Sequence, residues 1–257
     1  MRRTQWLFIA SALVAVLAGF RQLPDLDDLA QAQPGSSSSS SPQAIDKWDR
    51  PEPRRGEVLA NLKRATVVES RPSAAGYDRD CGTGHACSFG PAWTDDVDTE
   101  FGHNGCDQRN DLLRASLTDV QIRPNTNGCV VEAGTLEDPY TGQTLHFEKS
   151  RAYEVQVDHL YPLARAWDMG AATWSPEQRQ NFAGDPRNLI VADGSANASK
   201  SDQGPGEWMP LNRGYACTYA ARYLEVAIAY ELPLTTADAE SLKAAASTCP
   251  KSPQPAR

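Results

Sequence analysis

Three short segments concentrate residue types that bind metal ions and move protons. They are Asp158-His159, Asn188-Leu189 and Asn197-Ala198-Ser199-Lys200. A histidine whose pKa lies near neutral can take a proton from water, and the hard oxygens of Asp158 and Asn197 suit Mg²⁺ or Mn²⁺. A base and a cation together suffice for hydrolysis of a phosphodiester, because the cation offsets charge on the leaving oxygen. We therefore expect His159 as general base beside one divalent cation.

The elements around these segments follow the order strand, strand, helix. Residues 153–157 alternate as in a strand that ends at Asp158, and residues 188–192 form an apolar strand. Residues 193–200 predict a short helix. Lys200 lies three positions after Asn197 and so shares its helix face, from which we expect it to contact a phosphate. This is the order of a ββα-metal site.

Longer stretches around these residues carry a family resemblance. They read DHLYPL at 158–163, FAGDPRNL at 182–189 and DGSANASKSD at 193–202, with GCDQRND at 105–111 and DPYTG at 138–142 upstream. In these stretches the chain resembles the His-Asn-His (HNH) endonucleases, and most closely an exported branch related to the C-terminal domain of GmrSD-type restriction enzymes.

The resemblance implies an α+β fold in which a ββα-metal motif packs with additional helices. It assigns to Asn188 the orientation of the His159 ring through a carbonyl oxygen. It also implies a local bend that lets Asp158 and His159 both face the phosphate. Arg109 and Arg165 are further candidates for phosphate contact; a buried ion pair and a solvated helix position are the respective alternatives.

The rest of the chain predicts helices, strands and loops around this motif. Helices are expected at 56–64, 111–117, 162–169, 175–182, 215–230 and 236–246, and strands at 129–133 and 144–147. Residues 77–109 are rich in Gly, Asp, Asn and Cys, which indicates loops.

The N-terminal sequence indicates export. Met1-Arg2-Arg3 precedes a short apolar run at 6–18, so residues 1–32 are interpreted as a signal peptide, with an uncleaved anchor as the alternative. Residues 33–55 form a Ser/Pro-rich linker, and 56–257 the nuclease domain. The protein is expected to be secreted or held at the cell surface, without another membrane segment.

Six cysteines form an even set, which in an exported chain favours disulfides. Many pairings are open, but sequence locality favours Cys81 with Cys87, Cys106 with Cys129, and Cys217 with Cys249. A zinc site is disfavoured because the sequence contains no Cys-x-x-Cys pair.

The net charge of -8 argues against tight binding to duplex through many phosphate contacts. Affinity for nucleic acid should therefore come from a few local cations and the metal. We expect a monomer that acts on nucleic acid, with DNA favoured over RNA. An RNA-cleaving nuclease remains an alternative, as does a non-catalytic extracellular binding module on a nuclease scaffold.

Overall fold

The computed structural model describes residues 52–251. The expected signal peptide and most of the linker lie outside the described residues, as do the last six residues. Within residues 52–251, no helix is both long and apolar enough to span a membrane.

The described part is an α+β structure with short strands. Its helices are α1 (Arg55–Arg64), α2 (Gln108–Ser116), α3 (Leu163–Asp168), α4 (Pro176–Gly184), α5 (Gly194–Lys200), α6 (Ala216–Ala229) and α7 (Thr236–Ala245). Its strands are β1 (Val67–Val68), β2 (Thr118–Ile122), β3 (Val131–Glu137), β4 (Thr144–Glu148), β5 (Val155–His159), β6 (Leu189–Asp193) and β7 (Leu234–Thr235). The α+β class expected from the sequence is therefore confirmed.

The strands form three small sheets. β2, β3 and β4 make an antiparallel meander, β1 and β7 a parallel pair, and β5 and β6 an antiparallel pair. Helix α5 follows β6 directly and packs against both β5 and β6. The chain between β5 and β6 contains α3 and α4, so two strands distant in sequence come together.

The β5–β6 pair separates two hydrophobic clusters, because successive side chains of a strand point to opposite faces. Val157 and Val191 belong to the cluster beneath α2 and the meander. Ile190 and Ala192 belong to the larger cluster around α6. Successive side chains of β5 therefore face these two clusters in turn.

Local capping fixes where the helices near this pair begin. The Asp193 carboxylate accepts a hydrogen bond from the Ala196 amide at 2.7 Å, and the Ser175 hydroxyl accepts one from the Gln178 amide at 3.1 Å. Side-chain caps of this kind satisfy amides that have no partner within the helix. They place the start of α5 at the end of β6.

Three disulfides join the cysteine pairs expected from sequence locality: Cys81–Cys87, Cys106–Cys129 and Cys217–Cys249. No cysteine in the described part is free. The first bond closes a small loop in the irregular segment before α2, and the second ties the start of α2 to the start of β3. The third links α6 to the turn after α7.

Candidate active site

Asp158 and His159 end β5 on opposite faces of the strand. β5 continues regularly to its last residue, where His159 pairs with Leu189 of β6. The local bend expected before His159 is therefore absent. Because side chains alternate along a strand, Asp158 faces the side covered by α5, and His159 shares the other side with Val157.

The imidazole of His159 is held by a backbone carbonyl and an aromatic ring. Its Nε2 lies 2.8 Å from the carbonyl oxygen of Ala183 in α4. The ring stacks on Trp93 with centroids 6.0 Å apart and planes inclined by 14°. Since a carbonyl oxygen can only accept, Nε2 must carry the proton of the neutral ring, which leaves Nδ1 as the acceptor.

Burial makes the His159 ring harder to protonate. It lowers the pKa of His159 to about 3, while the bond to Ala183 acts in the opposite direction. The positive charges of Arg79 and Lys200 lower this pKa further. The near-neutral pKa expected from the sequence is thus wrong for the free protein, and the ring is neutral over a wide pH range.

Asn188 anchors the chain beyond His159 and does not contact the ring. Its Oδ1 accepts a hydrogen bond from the Tyr161 amide at 2.7 Å, and its Nδ2 donates to the Tyr161 carbonyl at 3.2 Å. Its backbone carbonyl accepts from the Leu160 amide at 2.7 Å. The expectation that Asn188 orients the imidazole is therefore corrected: the orienting carbonyl belongs to Ala183, and the fully buried Asn188 fixes the backbone after β5.

Asp158 forms a buried ion pair with Lys200. The Lys200 Nζ lies 2.9 Å from Asp158 Oδ2 and donates to the His159 carbonyl at 2.8 Å. The Tyr140 hydroxyl donates to Asp158 Oδ2 at 2.6 Å. Burial raises the pKa of Tyr140 well above its usual value, and the Asp158 charge raises it further, so this hydroxyl stays protonated.

The expected phosphate contact from Lys200 is not available in this arrangement. The Lys200 side chain is fully buried, because the helix face it shares with Asn197 packs against β5. Burial lowers the pKa of Lys200, and the Asp158 carboxylate partly offsets that effect. Lys200 therefore acts as an internal counter-ion.

Asn197 lies beside Asp158 on the same side of β5. Its Nδ2 donates to Gln156 Oε1 at 2.8 Å, and Gln156 shares a strand face with Asp158. Among residues 52–251, Asn197 Oδ1 accepts no hydrogen bond. A carboxylate offers about four acceptor positions, of which the hydrogen bonds from Lys200 and Tyr140 use two, and the Lys200 ammonium also lies 2.9 Å from Oδ2. By donor type, Asp158 and Asn197 fit a hard divalent cation completed by water and phosphate oxygens.

Comparison with known proteins assigns the chain to a family. Residues 107–245 match the family model described as GmrSD restriction endonucleases, C-terminal domain. The matched segment is more than half of the chain and contains Asp158, His159, Asn188, Asn197 and Lys200. This chain belongs to the GmrSD C-terminal domain family.

A relative of this GmrSD C-terminal domain comes from Arthroderma benhamiae and is described as an uncharacterized secreted protein. It is 37% identical over 146 residues, which cover 56% of this chain and 68% of the relative. No solved structure matches the chain.

The two arginines suggested as phosphate contacts are structural in this GmrSD C-terminal domain. Arg165 is buried and pairs with Asp238 and Glu207. Arg109 is half-buried and donates to the carbonyls of Ala152 and Val155, at 3.3 and 3.1 Å. Arg165 thus does not face a groove, and Arg109 braces the start of β5.

Several residues that contact Asp158 and His159 lie far from them in sequence. Trp93 and Ala183 hold His159, while Tyr140 holds Asp158. Tyr140 belongs to the DPYTG stretch, which is one of the stretches that resemble the family. Trp93 lies in a loop before the matched segment, and neither periodicity nor spacing singled it out.

Proposed function

We propose that this protein is an exported, divalent-metal-dependent endonuclease of the ββα-metal type that hydrolyses phosphodiester bonds in nucleic acid, with DNA favoured over RNA. Membership of the GmrSD restriction endonuclease family supports a nuclease. The succession of β5, β6 and α5 supports the ββα assignment. The observation that carries the proposal is the His159 ring, fixed through Nε2 and neutral, with Nδ1 able to accept a proton.

His159 acts as the general base. Its Nδ1 takes a proton from the attacking water, and the Ala183 carbonyl stabilises the imidazolium that forms. Trp93 limits rotation of the ring by stacking on it. Asn188 keeps the backbone after β5 in register with the start of β6, which holds His159 at a fixed position relative to α5.

Asp158 and Asn197 would hold the cation. Bound there, Mg²⁺ or Mn²⁺ would offset negative charge on the phosphate and on the leaving oxygen. Because Asp158 and His159 lie on opposite faces of β5, a phosphate that contacts both groups would have to lie across the end of this strand, next to His159. The Lys200 ammonium and a metal ion compete for the same carboxylate, so binding of the ion requires Lys200 to share Asp158 or release it.

Export is supported by two observations. The secreted relative and the three disulfides both fit an oxidising environment outside the cytoplasm.

A non-catalytic extracellular module is the second candidate, and the Asp158–Lys200 pair favours it. That pair already neutralises the carboxylate on which a metal would depend. In this case the fold would persist for binding, and neither Mg²⁺ nor Mn²⁺ would induce cleavage.

A plasmid-nicking assay separates the candidates. The oxidised protein is incubated with supercoiled DNA in Mg²⁺, Mn²⁺ or EDTA, and in parallel with structured RNA. We expect metal-dependent nicking that His159→Gln abolishes, while His146→Gln, at an exposed position of β4, cuts like the parent. Cleavage unaffected by EDTA, or full activity of a folded His159→Gln protein, would contradict the proposal. Faster cleavage of RNA than of DNA would change only the substrate.

A further inference from the structure

The cations suggested by the sequence for phosphate contact are engaged elsewhere. Lys200 and Arg165 are buried in ion pairs, and Arg109 donates to backbone carbonyls. Since the protein carries a net charge of -8, binding of a polyanion depends on a cation placed at the site itself. A phosphate contact by a protein cation, beside the proposed metal ion, would therefore have to come from another residue near His159.

A narrow cleft, with space for about one water molecule, lies beside the groups that hold His159, and one arginine lines it. Its lining includes Arg79, Trp93, Gln180 and Ala183. Trp93 stacks on the imidazole and Ala183 accepts the bond from its Nε2, so two walls of the cleft are the direct neighbours of the ring. Arg79 thus shares a cleft with the groups that hold the proposed base.

The Arg79 guanidinium has no partner of its own in the described part of the chain. It is half-buried, yet within residues 52–251 its side chain forms no ion pair or hydrogen bond. The adjacent Asp78 carboxylate is occupied by the His85 ring and by the Ala86 amide. A partly buried cation without a counter-charge favours an anion, and a guanidinium matches phosphate oxygens with two parallel donors.

The disulfide next to Arg79 restricts its segment. Cys81 is bonded to Cys87, and the amide of Cys87 donates to the Asp80 carbonyl at 3.0 Å. This segment precedes the part of the chain that matches the family model. The Ser88 amide donates to the Asp78 carbonyl at 2.8 Å, so hydrogen bonds hold the backbone on both sides of Arg79, and less conformational entropy is lost when it binds.

We propose that Arg79 contacts a phosphate of the nucleic-acid substrate through the exposed part of its side chain, outside this narrow cleft. The inference rests on the proposed function and assigns the phosphate contact to a residue just before the disulfide-closed loop instead of Lys200. Arg79 positions the phosphate beside His159 and takes no part in proton transfer.

Binding and cleavage measured separately test this inference. Fluorescence anisotropy of a short labelled DNA duplex in EDTA gives the Kd of the full-length, oxidised protein at several salt concentrations. The variants are Arg79→Gln, Arg79→Lys and the control Arg64→Gln, which removes one exposed charge from α1. We expect Arg79→Gln to weaken binding by roughly tenfold and to reduce the slope of log K against log salt by about one. Arg79→Lys should retain that slope with part of the affinity lost, and Arg64→Gln should match the parent.

The outcomes distinguish this inference from the proposed function. Equal Kd and salt slope for the parent and Arg79→Gln would overturn the phosphate contact, even if the parent cuts DNA. A parent that binds with an Arg79-dependent slope but never cuts would support the contact and contradict the endonuclease. Absence of any binding by the parent would overturn the contact as well. A melting temperature that is unchanged in Arg79→Lys shows that its affinity loss is not a folding defect.

Discussion

The Lys200 ammonium lies 2.9 Å from the Asp158 carboxylate, and both side chains are buried. Each compensates the charge of the other, and removal of one partner would leave an uncompensated charge in the interior. The same carboxylate is the proposed anchor for a divalent cation. Stability and metal binding are therefore coupled at this pair.

Replacing Lys200 by Met should destabilise the protein by about 3–5 kcal/mol, because Asp158 loses its counter-charge. A divalent ion can replace that charge. Added Mg²⁺ or Mn²⁺ should therefore raise the Tm of Lys200→Met more than the Tm of the parent, as measured by differential scanning calorimetry.

The matched control is Lys149→Met, which removes an exposed lysine from the turn after β4. Its Tm and its response to metal should equal those of the parent. If Mg²⁺ and Mn²⁺ shift the Tm of Lys200→Met no more than that of the control, Asp158 is not a metal ligand.

Much of this site could be predicted from the chain order of its residues. The N-cap residues Ser175 and Asp193 predict the starts of α4 and α5, and the apolar run at 189–192 predicts β6. The spacing of Asn197 and Lys200 correctly places both on one helix face. Spacing alone, however, does not tell which way that face points, and the face packs against β5.

Other features depend on contacts that a single sequence does not encode locally. β2 is largely exposed and begins Thr118-Asp119, so it lacks the apolar alternation that identifies a strand. The stacking of Trp93 on His159 joins a loop to a strand end far along the chain. Burial of the ring in the folded protein lowers the pKa of His159. The residue type alone gives no information about burial and therefore indicates a near-neutral pKa.

The tautomer of His159 can be measured directly. Long-range ¹⁵N–¹H NMR should show Nε2 protonated and Nδ1 bare at neutral pH, because Nε2 donates to the Ala183 carbonyl. The rate of cleavage should then stay nearly constant on acidification through the usual histidine range. A protonated Nδ1 at neutral pH would remove His159 as the base in this geometry.

Asn188→Ala should destabilise the protein, since the Tyr161 amide and carbonyl both lose their partner. Leaving such buried groups unpaired costs about 1–3 kcal/mol each. The NMR signals of His159 should still report the Nε2-protonated ring. Loss of that tautomer without a loss of stability in urea denaturation would restore the orienting role assigned by family resemblance.

The Cys106–Cys129 bond spans 23 positions and should contribute about 3 kcal/mol in the chain-entropy model. Replacing both cysteines by serine should lower the free energy of unfolding by about that amount. Peptide mapping without reduction should recover the bond in the parent. Free thiols at both positions in the native protein would contradict this pairing.

The pH dependence of stability offers the last test of the His159 environment. In the unfolded chain this histidine takes up a proton near its ordinary pKa of 6.5, whereas the folded protein takes it up only near pH 3. Between these values the unfolded state binds more protons, so falling pH favours unfolding. The stabilising effect of the neutral ring is present above pH 6.5 and is lost as the pH falls towards 3.

His159→Gln cannot take up this proton and should lose less stability over the same interval. Urea denaturation at several pH values between 6.5 and 3 gives the free energy of unfolding of the parent, His159→Gln and the exposed control His146→Gln. Carboxylates contribute equally to all three proteins, so the difference in slope isolates His159. We expect the slopes of the parent and His146→Gln to agree and that of His159→Gln to be smaller. Three equal slopes would mean that His159 titrates alike in the folded and unfolded states, and that neither burial nor the bond to Ala183 perturbs it.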